Sequence, residues 1–244
     1  MEKIFSGKRA LVSGGAAGIG REIVSVLLSR GAQVVVVDRS KDDLATVKAE
    51  TGCETILADV GDADQARKAA EKALPVDLLV NCAGVVNLQP FLETTVANFD
   101  ETLNVNTRAG MIIGQVVARD MIRRKSKGAI VNISSIANER AFQDHTTYCV
   151  SKGGVDQLTR CMAMELGGYG IRTNAVAPVM TMTAMGRKAW SDPAKAKPML
   201  EKIPMGRFNE PVDVANAVVM LLSDEAAMVN GSVLPVDGGF LIRG

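Results

Sequence analysis

The chain is poor in the residues that several kinds of chemistry require. It has a single histidine, His145, in 244 residues. A histidine-built metal site is therefore excluded, and no metal is expected. Its four cysteines, Cys53, Cys82, Cys149 and Cys161, form no CxxC pair. That spacing argues against zinc or a redox motif, and the thiols read as reduced packing residues. No charge of one sign dominates: 28 basic residues stand against 27 acidic ones, net +1. A nucleic-acid binder carries a basic surplus that is missing here. No apolar run approaches the roughly 18 residues of a membrane helix. Met1–Ser6 has no apolar segment of the secretory type. These absences predict a soluble cytoplasmic protein without a transmembrane segment.

What is present is hydrophobic and ordered. Hydrophobic residues make up 47% of the chain, too many for disorder. The length suits one large α/β domain that needs no disulfides. Short apolar runs recur at Lys8–Val12, Val34–Val37, Ile56–Ala58, Leu78–Val80, Ala129–Ile133, Thr173–Val176 and Val233–Val236. Their continuity, without alternation, predicts strands covered on both faces. The stretches between them read as helices. A long one is expected over Thr95–Arg124, with Leu103, Met111, Ile112, Val116 and Met121 on its apolar side. Another is expected over Thr147–Leu166, where Val155, Leu158, Met162 and Leu166 recur at helical steps. The basic run Arg123, Arg124, Lys125 and Lys127 falls where a helix should end before Gly128, and cations there complement the helix dipole. Strand–helix alternation predicts right-handed βαβ units and a doubly wound parallel sheet.

The loop Ser13-Gly14-Gly15-Ala16-Ala17-Gly18-Ile19-Gly20 follows the first strand and opens a helix. Glycines there permit a tight turn and close approach of a pyrophosphate, and the helix N-terminus supplies free N–H groups. Asp38 ends the second strand, where an acid accepts hydrogen bonds from an adenine ribose and repels a 2′-phosphate. Arg39 beside it would attract that phosphate. Ala17 adds no second cation, so the charges lean toward NAD(H) over NADP(H). Asp59, followed by Val60, is placed to meet the adenine or to cap the next helix. Asn81-Cys82-Ala83-Gly84 closes the fourth strand with small residues that let backbone run beside a cofactor.

Tyr148 and Lys152 stand at i and i+4, on one helix face. A phenol titrates near pH 10, too high for proton transfer at neutrality. At about 5 Å and an effective dielectric near 20, the lysine charge is worth roughly 3 kcal/mol, or about two pK units. Lys152 is therefore expected to bring the phenol toward the working range of a general acid. Ser135 ends the fifth strand, where it would hold a substrate carbonyl. Asn106 lies in the long helix after the fourth strand.

Gly14, Asp38, Asp59, Asn81, Asn106, Ser135, Tyr148 and Lys152, in this order, resemble the short-chain dehydrogenase/reductase family. The resemblance runs to Val236-Asp237-Gly238-Gly239. It implies one Rossmann-type domain over residues 1–244, with a substrate flap near 181–204. It implies catalysis by Asn106, Ser135, Tyr148 and Lys152. Tyr148 would exchange the proton, Lys152 would bind the nicotinamide ribose, Ser135 would orient the carbonyl and Asn106 would hold a relay water. The implied cofactor contacts are Gly14, Gly18, Ile19, Gly20, Asp38, Arg39, Asp59, Val60, Asn81, Ala83, Gly84, Tyr148, Lys152, Pro178 and Thr183. Ser135, His145, Tyr148 and Trp190 would line the substrate pocket.

The pattern departs from the family's in places. Ser13 stands for threonine, Cys82 for a second asparagine, and Ala177-Pro178-Val179 for a proline-glycine pair. Closer similarity to one subgroup is carried by Pro75–Asn81, Gln89–Glu93 and Trp190–Pro193. It implies a homotetramer that reduces sugar ketones and α-dicarbonyls, preferring NADPH. Ala17 and Asp38 replace that subgroup's lysine and serine and weaken the NADP(H) inference. The alternative is an NAD-dependent polyol or secondary-alcohol dehydrogenase working mainly in oxidation.

Overall fold

The computed structural model describes residues 2–243. Met1, which begins the segment read for a secretory signal, and Gly244, which ends the expected domain, lie outside them. The elements run β1 (Arg9–Ser13), α1 (Gly18–Ser29), β2 (Gln33–Asp38), α2 (Lys41–Thr51), β3 (Glu54–Leu57) and α3 (Ala63–Ala73). They continue with β4 (Leu78–Asn81), α4 (Val96–Leu103), α5 (Ala109–Arg124), β5 (Gly128–Ile133), α6 (Thr146–Leu166) and β6 (Ile171–Pro178). The last are α7 (Ala184–Ala189), α8 (Pro193–Leu200), α9 (Pro211–Leu222) and β7 (Val233–Val236). The seven strands form one parallel sheet in the order β3-β2-β1-β4-β5-β6-β7. Strand order reverses between β1 and β4, and ligands of such sheets bind at that switch point, beyond the strands' carboxyl ends.

The apolar strands are continuous because alternate residues feed two cores. Val12, Val36 and Val131 pack on one face with Ile23 and Leu27 of α1 and Val214, Val218 and Leu221 of α9. Leu11, Val35 and Ile130 pack on the other with Ala66 and Ala70 of α3 and Ile113 and Val117 of α5. Each buried Val or Leu side chain contributes about 1.5–3 kcal/mol. A third, smaller core joins Ile136, Val179, Ala196, Ile203, Phe208 and Phe240 beneath α7 and α8, the segment expected to form the flap.

Two helix expectations need correction. The single helix over 95–124 is instead α4 and α5, joined by a π-helical turn at Asn104–Arg108 in which the Ala109 N–H reaches the Asn104 carbonyl. Apolar periodicity does not register this turn, because Val105 and Ala109 stay buried through it. In α6 the expected apolar stripe is only partly buried: Val155 is inside and Met162 and Leu166 pack on the second core, but the fully buried face is mostly polar. Leu158, Met162 and Leu166 are half-buried, whereas Thr147, Ser151, Lys152, Asp156 and Thr159 face inward with Val155 and Ala163. The helix turns its polar side inward because those groups find hydrogen-bond partners there, on α4 and the π-helical turn for Thr147 and Ser151 and along β5 and its end for the others. Arg123 and Arg124 do occupy the last turn of α5, where both pair with buried Asp120, and Lys125 closes the helix in the left-handed conformation.

Candidate active site

At the switch point, β1 and β4 are joined through Ser13. Its buried Oγ accepts from the N–H groups of Cys82 at 3.2 Å and Ala83 at 3.4 Å. The hydroxyl is the feature that the Ser13 substitution retains. Gly14 follows with φ +65°, and a Cβ there would stand 2.7 Å from the Ala83 Cα. A Cβ on Gly20 would lie 2.1 Å from the Gly14 carbonyl oxygen. One on Gly18 would meet the Thr183 methyl group at 3.2 Å. Gly14, Gly18, Gly20, Ala83 and Thr183 are thus brought together. Ile19, in the first turn of α1, packs on the first core.

The N-terminus of α1 has Ala17 at its cap position, no side-chain capping bond and no acidic residue in its first turn. Ser40, Asp62 and Thr95 cap the starts of α2, α3 and α4 with side-chain oxygens. The first N–H groups of α1 remain available to an anion, and the glycines give it room. These residues fit a dinucleotide pyrophosphate.

Asp38 closes β2 and is tied to the loop: one carboxylate oxygen accepts from the Ala16 N–H at 3.2 Å, the other from Ser40 at 3.1 Å. Arg39 is exposed beside it. Asp59 is exposed and accepts from the Gly61 N–H at 2.9 Å, but the cap of α3 is Asp62, which corrects the second use read for Asp59. Val60 turns its side chain into the second core. Asn81 also points inward: its amide donates to the Asn132 side chain at 2.9 Å, and Asn132 in turn donates to Thr159 at 2.9 Å. Pro178 ends β6, and Thr183 caps α7 by accepting from the Gly186 N–H at 3.1 Å.

Tyr148 lies in the first turn of α6 and Lys152 one turn further on. Lys152 Nζ donates to the Ile133 carbonyl at 2.7 Å and stands 5.5 Å from the Tyr148 ring centroid, over the ring. Burial raises the Tyr148 phenol above its ordinary range, with the Ser135 hydroxyl opposing the shift. Burial also lowers Lys152, to about 8, against the pull of the Asp156 carboxylate. The net direction at the phenol is upward because desolvation is the largest cause, and the ammonium is directed at a backbone carbonyl. Cys82, where the family pattern has asparagine, is half-buried, and desolvation pushes its thiol up to about 12. It sits beside this lysine as a neutral group.

Ser135 starts a short 3-10 turn, its Oγ accepting from the Ala137 N–H at 3.2 Å. Asn106 sits in the π-helical turn. Its Oδ1 accepts from the Val85 N–H at 2.8 Å, and its Nδ2 donates to the Val85 carbonyl at 3.0 Å and the Ser151 hydroxyl at 2.9 Å. The side chain therefore pins the loop after Gly84 to α6, and both its amide hydrogens have protein partners. His145 precedes α6; its Nδ1 lies 2.5 Å from the Gln143 carbonyl, which places the proton on Nδ1 and leaves Nε2 an acceptor. Its ring is 6.3 Å from that of Tyr148. Trp190 packs on Phe208 at 5.3 Å with Lys195 Nζ over its ring, against the small third core.

Sequence reasoning missed Ser151 and Asn132. Ser151 passes the Asn106 contact on by donating to the Tyr148 carbonyl at 2.7 Å. The readable signal was the polar stripe of α6, which shares the helical period of an apolar one. Among the described residues no group of His, Cys, Asp and Glu is placed to hold a metal, and no helix is long and apolar enough to cross a membrane.

A parallel sheet with a phosphate cradle at its switch point, facing a Ser–Tyr–Lys cluster, defines a dinucleotide-dependent oxidoreductase. The family model described as "Enoyl-(Acyl carrier protein) reductase" matches residues 14–241. The chain is 50% identical over 243 residues to L-xylulose reductase of Mesocricetus auratus, covering 99% of this chain and 100% of that one. It is 46% identical to D-erythrulose reductase of Gallus gallus, over 98% of this chain and 97% of the other. A provisionally assigned 2-deoxy-d-gluconate 3-dehydrogenase from Agrobacterium tumefaciens, solved with bound NADP, superposes with a TM-score of 0.92 at 33% identity, covering 99% of both chains. The chain belongs to the short-chain dehydrogenase/reductase family, and it is an oxidoreductase that uses a nicotinamide cofactor on a small-molecule substrate.

Proposed function

We propose that this enzyme reduces the ketone of L-xylulose to the secondary alcohol of xylitol, and one carbonyl of α-dicarbonyls such as diacetyl. The observation that carries the reading is the placement of Tyr148 beside Ser135 and over Lys152, in a chain about half identical to L-xylulose reductases. The nicotinamide, when bound, supplies the hydride to the carbonyl carbon. Ser135 donates a hydrogen bond to the carbonyl oxygen, and Tyr148 gives that oxygen its proton. Lys152 presents its charge beneath the phenol and toward the ribose. Asn106 keeps the loop after Gly84 in place through its side chain, and a relay water would be held by its backbone. His145 Nε2 accepts from a substrate hydroxyl, and Trp190 walls the pocket from the flap over residues 181–204.

The cradle residues Gly14, Gly18, Ile19 and Gly20 take the pyrophosphate, with Thr183 closing over Gly18. Asp38 and Arg39 face the adenine ribose. Asp59 meets the adenine; Val60, Asn81, Ala83, Gly84 and Pro178 contribute backbone. NAD(H) is favoured by Asp38 and Ala17, NADP(H) by Arg39 and the NADP-bound neighbour. The second reading, an NAD-dependent polyol or secondary-alcohol dehydrogenase working in oxidation, is favoured by Asp38. A homotetramer is part of the proposal, because Met111 is 39% and Met164 87% exposed and the apolar stripe of α6 is half covered; a monomeric mass by light scattering would rule it out. The four unpaired thiols suit a reducing cytoplasm.

Initial rates of L-xylulose and diacetyl reduction, with NADH and NADPH side by side, test the assignment. L-xylulose turnover well above that of unrelated ketones supports it. Efficient NAD-linked polyol oxidation with negligible ketose reduction would replace it by the second reading.

A further inference from the structure

Asp156 is a buried carboxylate that the mechanism above leaves unused. It is 4% exposed, one turn beyond Lys152 on α6, and among the described residues it makes no ion pair. A charge buried without an ion pair is costly unless its hydrogen bonds repay the desolvation. Asp156 has two such bonds, and both come from the segment around Ser135. Ser134 donates its hydroxyl to Oδ1 at 2.5 Å, and the Asn138 side chain donates to Oδ2. Ser134 and Asn138 bracket Ser135 and the turn Ile136–Asn138 that it caps. Ser134 Oγ also lies 3.4 Å from the Lys152 carbonyl.

We propose that Asp156 is a positioning residue for the carbonyl reduction assigned above, clamping both sides of the Ser135 turn to the helix that carries Tyr148 and Lys152. The inference rests on that assignment. Ser135 is on the β5 side and Tyr148 on α6, so their separation depends on how the turn is held against the helix. The carboxylate accepts from both flanking residues and removes that freedom. Its negative charge also faces Lys152 and supports the ammonium form there. Asparagine can imitate the clamp. In Asp156→Asn the new side-chain oxygen accepts from Ser134, and its amide can donate to Asn138, whose Oδ1 is buried without a partner and needs only an amide rotation to accept.

The test compares Asp156→Ala, Asp156→Asn and Asn138→Ala with the parent enzyme. A misplacement of about 1 Å costs up to roughly 100-fold in rate, so Asp156→Ala should lose roughly 10- to 100-fold in kcat. Cofactor dissociation constants, read by nicotinamide fluorescence, should stay within about twofold of the parent, well inside one decade of affinity. Asp156→Asn should recover most of the loss, and Asn138→Ala should show part of it. Should Asp156→Ala fail to fold, the last two variants still decide. An unchanged kcat in Asn138→Ala, or losses of kcat and cofactor affinity in Asp156→Asn as large as each other, would overturn the proposal. Tyr148→Phe, run alongside, separates the two readings: if it keeps full activity the assignment fails, whereas a dead Tyr148→Phe beside an unaffected Asp156→Ala removes only the role of Asp156.

Discussion

Lys152 donates its ammonium to the Ile133 carbonyl at 2.7 Å, two residues before Ser135 in the chain. This bond fixes the lysine between the end of β5 and the Tyr148 ring, in a site dry enough to lower it from 10.5 to about 8. The proposed reduction needs a protonated phenol and a charged lysine. The phenol is raised, so the lysine loses its proton first as pH rises. The profile of kcat/KM for the reduced cofactor, which reports the free enzyme, should therefore fall above pH about 8. A profile flat to pH about 10, where free phenols titrate, would show that Lys152 does not control this limb. The stability linkage has the opposite slope. Between the folded value of about 8 and the ordinary 10.5, the unfolded chain holds more protons at this lysine. Its contribution to stability therefore grows with pH across that window.

Replacing Tyr148 by Phe removes the proposed proton donor and leaves the glycine loop intact. The rate of ketone reduction should drop by about 10²–10⁴, the usual worth of a general acid. Cofactor affinity, measured by fluorescence quenching, should change little. Turnover that survived at the parent rate would rule Tyr148 out as the donor.

Asp38→Ser tests the ribose side. Removing the carboxylate removes its repulsion of a 2′-phosphate, so the NADPH/NADH ratio of kcat/KM should rise at least about tenfold, equivalent to 1.4 kcal/mol. The substitution also loosens the bonds from Ala16 and Ser40. A stability loss of about 0.5–1.5 kcal/mol per bond should accompany it in urea titrations. A ratio that did not move would place Asp38 away from the ribose.

Gly20→Ala puts a methyl group 2.1 Å from the Gly14 carbonyl oxygen, and both partners are backbone. Neither can yield cheaply, so overpacking of about 1–3 kcal/mol is expected. Because the strain falls on the phosphate cradle, cofactor affinity should weaken along with thermal stability. Calorimetry with and without cofactor separates the two, and a variant bound and folded like the parent would contradict the tight packing.

Asp120 is the buried partner of Arg123 and Arg124 at the end of α5. Burial pushes its carboxyl up, but the bonds from the two arginines together outweigh that and hold it below its ordinary value. Its stabilising effect is present above the unfolded carboxylate value and is lost as pH falls through the lower, folded one. Asp120→Asn should cost about 1.5–3 kcal/mol at neutral pH, as for hydrogen bonds to charged groups. The difference from the parent should vanish in acid; a gap that persisted once the folded carboxyl is also protonated would point to packing instead of charge.

The sequence by itself determined the alternation of strands and helices, hence the doubly wound sheet, because apolar run length and helical period are properties of short stretches of chain. It also determined the glycine loop at the start of α1 and the i, i+4 placement of Tyr148 and Lys152, since one helical turn sets that geometry. The tertiary structure decided the rest. The π-helical turn around Asn106 is held by Ser151, 45 residues away, and the inward face of Asn81 by Asn132, 51 residues away. Those partners turn the polar stripe of α6 inward, where periodicity alone had favoured the apolar one. The direction of the Tyr148 shift belongs to the same group. A charge at fixed spacing can be read from sequence, but desolvation depends on every segment that closes over the phenol, and here it is the largest cause of the shift.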